Sequence, residues 1–308
     1  MTKTTPIPTP LAALDAERQW VNSEPLTAAA LRGTVVAVQF GTYSCVNWIR
    51  TLPYVRAWAA AYRDQGLVVV GAQTPEFGFE QEIGGVRRAL AAMGVEYPVV
   101  LDNAYGIWSA FGNRYWPALY VLDGEGSVRY HHFGEGAYEE SETIIRGLLG
   151  VEGDRVHAEE SGVELAADWD SLRSPETYLG AARGERRARD GASGLGLNQW
   201  ALSGRWAVDD ESAALGAEGG SITYRFGARD LNLVLTPPAS GAAVRFEVRL
   251  DGEAPGEAHG GDVDGAGAGT VDEPRLYQLV RQPDPGLDRT FEIRFLDPGV
   301  RAYVFTFG

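Results

Sequence analysis

The feature that most constrains this chain is the stretch Val35-Val-Ala-Val-Gln-Phe-Gly-Thr-Tyr-Ser-Cys-Val-Asn-Trp-Ile-Arg-Thr-Leu-Pro53, which holds the only cysteine among 308 residues. The apolar run Val35 to Phe40 predicts a buried β-strand. It stops at Gly41, and Ser44 predicts a hydroxyl cap for a helix that carries Ile49, Leu52 and Val55 and runs to about Asp64. Pro53 lies inside that helix and is expected to kink it. Cys45 thus falls at a helix N-terminus, where backbone N–H groups and the positive end of the helix dipole favour the thiolate.

A single cysteine excludes an intrachain disulfide and any multi-cysteine metal site. The four histidines form no zinc motif, and no metal and no cofactor is expected. His131 and His132 are adjacent, so on a strand they point to opposite faces, and both are assigned structural roles. The net charge of −15 argues against nucleic acid or an anionic membrane as partner, because both attract basic surfaces. The first thirty residues do not read as a signal peptide, and no long apolar segment is present. The chain as written is therefore expected in the cytoplasm, or outside it if trimmed from a membrane-tethered parent.

Read in order, residues 1–14 form a flexible tail and residues 15–150 one complete domain. A short strand and turn lie within Gln19 to Gly33, and Gly66 to Ala72 is a second all-apolar strand, as in a sheet covered on both faces. A helix with Val86, Leu90 and Met93 on one face follows, then a strand from Tyr97 to Asp102 and a short helix from Ala104 to Phe111. Pro117 stands directly before another strand, Asp123-Gly124 turns it into a hairpin with Ser127 to Phe133, and Tyr138 to Leu149 closes the domain as an amphipathic helix. Strands alternating with helices give an α/β arrangement around a mixed sheet. Residues 151–170 are acidic, lack a period and read as a linker. Residues 171–308 change character: Ile222, Tyr224, Phe226; Val244, Phe246, Val248, Leu250; and Tyr303, Phe305, Phe307 alternate with polar residues between Gly, Pro and Asp turns. That pattern predicts an all-β, jelly-roll-like sandwich.

Strand, tight turn, cysteine at a helix start and proline eight residues later is the active-site layout of the thioredoxin fold. With Thr42-Tyr-Ser-Cys45, Thr74-Pro-Glu-Phe77, Gly112-Asn-Arg-Tyr-Trp-Pro117, Arg129-Tyr-His-His-Phe-Gly-Glu-Gly136, Ser174-Pro-Glu-Thr-Tyr-Leu-Gly180 and Leu296-Asp-Pro-Gly299, the chain resembles the thioredoxin-like family of the TlpA and ResA type. The likeness is greatest to its DipZ-type branch, which joins a thioredoxin-like domain to a β-sandwich similar to carbohydrate-binding modules. The resemblance covers about residues 19 to 308. It implies that Pro117 is a cis-proline beside the active-site sulfur and that Trp116 offers its backbone to an incoming peptide. It also exposes a departure. The family motif is Cys-x-x-Cys, whereas this chain has Cys45-Val-Asn-Trp48, and relatives tend to carry Trp where Gly41 stands.

A dithiol oxidoreductase attacks with one thiolate and resolves the mixed disulfide with the other. With Trp48 in the resolving position, two-cysteine disulfide reduction is excluded and four readings stay open. Cys45 is a monothiol catalyst whose mixed disulfide or sulfenic acid an external thiol resolves; the scaffold is repurposed for ligand binding or a secondary-metabolite reaction; Cys45 is an inert relic in a binding module; or Trp48 is an engineered trap. For the first, Thr42-x-x-Cys45 resembles peroxiredoxins of the AhpC/TSA type, in which the hydroxyl orients peroxide, and Arg114 supplies a cation. Thr42 equally serves as a turn residue. For the second, Tyr43, Trp48, Tyr115 and Trp116 line an aromatic pocket, although each also suits a core. Glu76 is a candidate proton acceptor whose bland reading is a solvated loop glutamate. Trp200 and Trp206 are candidates for stacking on sugar rings, and Asp262, Asp264, Asp272 and Glu273 for calcium, against a solvated acidic loop. Partners are an external thiol reductant or a small-molecule or peptide substrate, and Cys45 residues of two chains would pair into a homodimer under oxidation.

Overall fold

The computed structural model describes residues 10–188 and 191–308. The chain divides between Glu164 and Leu165 into two compact units. Residues 1–9 of the expected tail lie outside the described residues. The rest of that tail is not loose: Pro10–Asp15 is a 3-10 turn that drives Leu11 and Leu14 into the core.

In the first unit, β1 (Trp20–Val21), β2 (Val35–Gly41), α1 (Val46–Tyr62), β3 (Leu67–Gln73), α2 (Ile83–Ala92), β4 (Val99–Leu101), α3 (Gly106–Ala110), β5 (Ala118–Leu122), β6 (Val128–Phe133) and α4 (Tyr138–Leu149) follow in sequence. The strands make one mixed sheet in the order β1-β4-β3-β2-β5-β6. The β2–β3 and β3–β4 pairs are parallel, and β2–β5 and β5–β6 antiparallel. Every residue of β2 is buried, as the unbroken apolar run requires of a strand covered on both faces. Val36, Val38 and Phe40 point into a cluster with Leu11, Leu14, Val70, Ile107 and Tyr120. Ala37 and Gln39 point to the other face, where Gln39 borders a small cavity with Thr51, Val55 and Trp58 of α1 and Tyr138 of α4. Helix α1 runs through Pro53 as one element.

Residues 151–164, read from sequence as the first part of a linker, are strapped onto the first unit. Arg155 pairs with Glu139 at 2.6 Å, the Val156 amide donates to Glu142, and the Tyr54 hydroxyl donates to Glu160. Arg56 grips Glu164 with both guanidinium nitrogens, at 2.7 and 2.9 Å. Low hydrophobicity hid this segment because charges, not apolar contacts, hold it.

The second unit contains β7 (Thr177–Tyr178), β8 (Trp200–Ser203), β9 (Trp206–Val208), β10 (Ala213–Leu215), β11 (Ser221–Phe226), β12 (Asp230–Thr236), β13 (Val244–Leu250), β14 (Ala268–Val271), β15 (Arg275–Arg281), β16 (Arg289–Phe295) and β17 (Arg301–Phe307). One antiparallel sheet runs β15-β12-β17-β10-β9, with β7 also on β17; the other runs β14-β13-β16-β11-β8. The period-2 residues fill the space between them: Tyr224, Phe226, Phe246, Phe291, Phe295, Phe305 and Phe307 share one cluster. Trp200 belongs to that cluster too, with its indole N–H on the Glu185 carbonyl, so it is not a sugar platform. Trp206 packs edge-on against Phe295. Asp262 is used internally, pairing with Arg275 and accepting from the Gln278 amide, and Asp264 caps its own turn. Among the described residues no helix is long and apolar enough to cross a membrane, and no group of acidic, His or Cys side chains is arranged to hold a metal ion.

The strap generates a test. A bidentate, partly buried Arg–carboxylate pair outweighs an ordinary surface pair and contributes on the order of 1 kcal/mol. Arg56→Ala is expected to quicken limited proteolysis within residues 151–164 several-fold relative to cleavage elsewhere in the chain. Equal cleavage rates in both proteins would show that this pair does not hold the strap.

Candidate active site

Three segments leave the sheet at one edge. Phe40 of β2 is paired with Ala118 of β5, so the turn Thr42–Cys45 emerges beside Pro117. Gly41 is paired with Gln73 of β3, and the Thr74 amide donates to the Gly41 carbonyl at 3.0 Å, so the loop 74–80 starts at the same place. The Trp116–Pro117 peptide is cis, as the resemblance implies. The Trp116 indole N–H donates to the Thr74 carbonyl at 3.0 Å and ties the proline loop to the loop after β3.

Cys45 is half-buried and is itself the N-cap residue of α1, with extended backbone. Its amide donates to the Thr42 carbonyl at 3.1 Å, and its carbonyl accepts the first helical bond from Ile49 at 3.0 Å. The expected Ser44 cap is not made, and no side chain caps this helix. Ser44 is buried one residue before the N-cap, and its hydroxyl donates to an acceptor behind the turn. That acceptor is Glu80, in the 3-10 turn Gly78–Gln81.

Glu80 is fully buried. One carboxylate oxygen accepts from Ser44 Oγ at 2.5 Å, and the other from the amides of Glu76 and Phe77 at 2.5 and 2.9 Å. The Thr42 hydroxyl also donates to Glu80 and accepts from Gln73 Nε2 at 2.8 Å. Burial pushes the Glu80 carboxyl up to about 7, against the pull of these donors and with a small push from Glu76. The buried carboxylate of this site is therefore Glu80, not Glu76. Glu76 is half-buried and supplies a backbone amide. The signal was available in Phe77-Gly-Phe-Glu80, a glutamate directly after two aromatics in a loop that the fold brings to the cysteine turn. Thr42, wholly buried and bonded on both sides, fixes the turn, so it is not the peroxide-orienting hydroxyl of the peroxiredoxin analogy.

The four side chains of the expected aromatic pocket differ in exposure and in partners. Tyr43 is buried with its ring edge-on to Phe79. Trp48 is only 4% exposed. Trp116 lies on Trp108 with ring centroids 4.4 Å apart, and Tyr115, 54% exposed, leans on Phe133 of β6 instead. Arg114 is exposed on the loop before Trp116. His131, also exposed, packs on Tyr120 and Phe133, while His132 meets the Glu135 carbonyl, so both serve β6 and its following loop. Sequence reading passed over Arg50, buried in α1 five residues after Cys45 and paired with Glu135 at 3.1 Å. That pair fastens the cysteine-bearing helix to the loop after β6.

The model of the family described as "Thioredoxin like C-terminal domain" matches residues 174–308. The chain is similar to the protein DipZ of Mycobacterium bovis and of Mycobacterium tuberculosis, at 37% identity over 232 residues, which is 70% of this chain and 33% of each DipZ. It thus spans about a third of the length of those relatives. It is also similar to the thiol-disulfide oxidoreductase YkuV of Bacillus subtilis, at 26% identity over 46% of this chain and 94% of YkuV. Among solved structures, a thioredoxin-like protein in the oxidised form is 26% identical and covers 46% of this chain and 95% of its own, with a TM-score of 0.42.

Glu80 makes a signed prediction. Unfolded, its carboxyl ionises near 4.5; folded, it holds its proton to about 7. Between those values the unfolded chain sheds a proton that the folded chain keeps, so stability falls as pH rises and levels off above about pH 7. The loss is on the order of 3 kcal/mol. Denaturant melts of Glu80→Gln against the parent should show that slope removed between pH 4.5 and 7. Parallel stability curves across this window would sink the assignment.

Proposed function

We propose that this chain, similar to DipZ and to thiol-disulfide oxidoreductases, is a thioredoxin-like thiol redox protein in which Cys45 is the sole reacting sulfur. One observation carries the reading: a half-buried Cys45 opens α1 while the resolving position is filled by the buried Trp48. Thiolate at Cys45 attacks one sulfur of a substrate disulfide, and the other sulfur leaves as a thiolate with the electron pair of the broken bond. The Cys45 mixed disulfide is then attacked by an external thiol, which regenerates Cys45 and carries off the substrate half as a new disulfide. Nothing inside the chain completes this second step, so the reductant is a second molecule. A disulfide route suits the site better than peroxide reduction because the Thr42 hydroxyl is already committed to Glu80 and Gln73.

The other residues have positions consistent with this reading. Thr42 and Tyr43 are buried parts of the turn itself, and buried Trp48 follows it in the first turn of α1. The backbone of Trp116 and the cis Pro117 border it on the β5 side, and exposed Arg114 brings positive charge to the loop ahead of them. Glu80 acts through Ser44, holding the turn in place and changing its hydrogen-bonding demand when it takes up a proton. A carboxylate only accepts; a carboxylic acid must also donate, so a Ser44 or Thr42 hydroxyl has to rotate.

The reading is tested on the full chain with oxidised glutathione. One glutathione per chain should attach at Cys45 and be released by excess reduced thiol, and Cys45→Ser should abolish the adduct. A folded protein that accepts neither glutathione nor iodoacetamide at any pH between 5 and 9 would end the redox reading and favour a scaffold repurposed for ligand binding.

A further inference from the structure

The indole of Trp48 lies on the backbone of Gly41. A Cβ built on Gly41 would come within 1.9 Å of Trp48 Cδ1 and 2.2 Å of Nε1. These atoms belong to the near edge of a rigid ring, so a small χ adjustment does not relieve the overlap. The ring is also boxed in. Gly41, Gly71, Ala72 and Val99 line the space it borders, and a Cβ on Gly71 would already press Val99 at 3.0 Å. Its backbone is latched, because Thr51 Oγ1 donates to the Trp48 carbonyl at 2.6 Å and itself accepts from Gln39 Nε2 at 2.5 Å.

We infer that Gly41 and Trp48 are one steric unit that sets the sulfur chemistry of the site: glycine at the end of β2 makes room for an indole from the first turn of α1, and that indole holds the place a second thiol would need. The inference deepens the single-thiol reading and rests on it for its redox consequence, but not for its packing claim. It follows that the dithiol site is two substitutions away rather than one. Trp48→Cys alone empties the space over Gly41, whereas Gly41→Trp with Trp48→Cys returns the indole from the strand side and frees the helix position for sulfur. In that paired variant, Cys45 would attack a substrate disulfide and expel one substrate thiolate. The introduced thiolate would then attack Cys45 Sγ, release the second substrate thiolate and leave an intrachain disulfide for dithiothreitol to reduce.

The experiment compares full-chain Gly41→Ala, Trp48→Cys, their combination, and Gly41→Trp/Trp48→Cys. Gly41→Ala is expected to lower the Tm by roughly 2 to 12 °C when Trp48 is present and to cost nothing when Trp48→Cys is also present. Trp48→Cys alone should lower the Tm by roughly 6 to 20 °C. The paired Gly41→Trp/Trp48→Cys variant should recover most of that loss and reduce insulin disulfides at least about tenfold faster than the single variant. Additive Tm effects of Gly41→Ala and Trp48→Cys would overturn the inference, as would a single Trp48→Cys variant as stable and as active as the paired one. Coupled Tm effects together with a parent chain that never takes up glutathione keep the steric unit and remove the thiol-exchange reading, so the two fail separately.

Discussion

Everything at the site hangs from the C-terminal end of β2. The strand is central in its sheet and buried throughout, so its register against β3 and β5 is set by apolar side chains on both faces. A one-residue slip would exchange the face of Phe40 for that of Gln39 and break both sides of the core at once. That rigidity brings Gly41 against Gln73, and Phe40 against Ala118, within hydrogen-bonding range of each other's chains. The cysteine turn, the loop that carries Glu80 and the cis-proline loop are neighbours because β2 and β3 end where β5 begins, not because they attract one another.

Given that edge, polar contacts decide the details. Ser44 has a choice between capping α1 and reaching a buried carboxylate. Taking one donor from a buried carboxylate costs more than an uncapped helix, for which water or a neighbouring group can stand in. The structure makes the contact to Glu80 and leaves Cys45 itself at the N-cap. The same economy explains Thr42, which satisfies Gln73 and Glu80 together. The cysteine turn is thus fastened from behind by a group whose proton is in play near neutral pH.

Much of the architecture was legible in the sequence. The all-apolar runs of β2 and β3, the hairpin of β5 and β6, and the period-2 strands of the second unit all report burial through side-chain type, which composition records directly. What escaped detection depends on partners distant in sequence. Ser44 reads as a cap until Glu80, 36 residues on, is placed behind it. Residues 151–164 read as a linker because their contacts are carboxylates meeting Arg56, Tyr54 and Arg155. Leu11 and Leu14 read as part of a tail because two leucines on a 3-10 turn make no period long enough to register. Tyr43, Trp48, Tyr115 and Trp116 read alike from position, yet their side chains have different surroundings, which spacing cannot reveal.

Trp48 is the clearest case of a change that cannot be read one residue at a time. By itself, tryptophan in place of a small thiol at the first turn of α1 looks like overpacking, which forces neighbours apart. Beside Gly41 it is instead a volume-conserving arrangement: the space is filled from the helix because the strand contributes nothing to it. Close packing makes such pairs behave as units, since neither position can change volume without opening a void or a clash at the other. That position 48 carries an indole and not a thiol is therefore tied to the packing of the sheet edge. On the single-thiol reading, the chemistry of Cys45 depends on the glycine four residues before it as well as on Trp48.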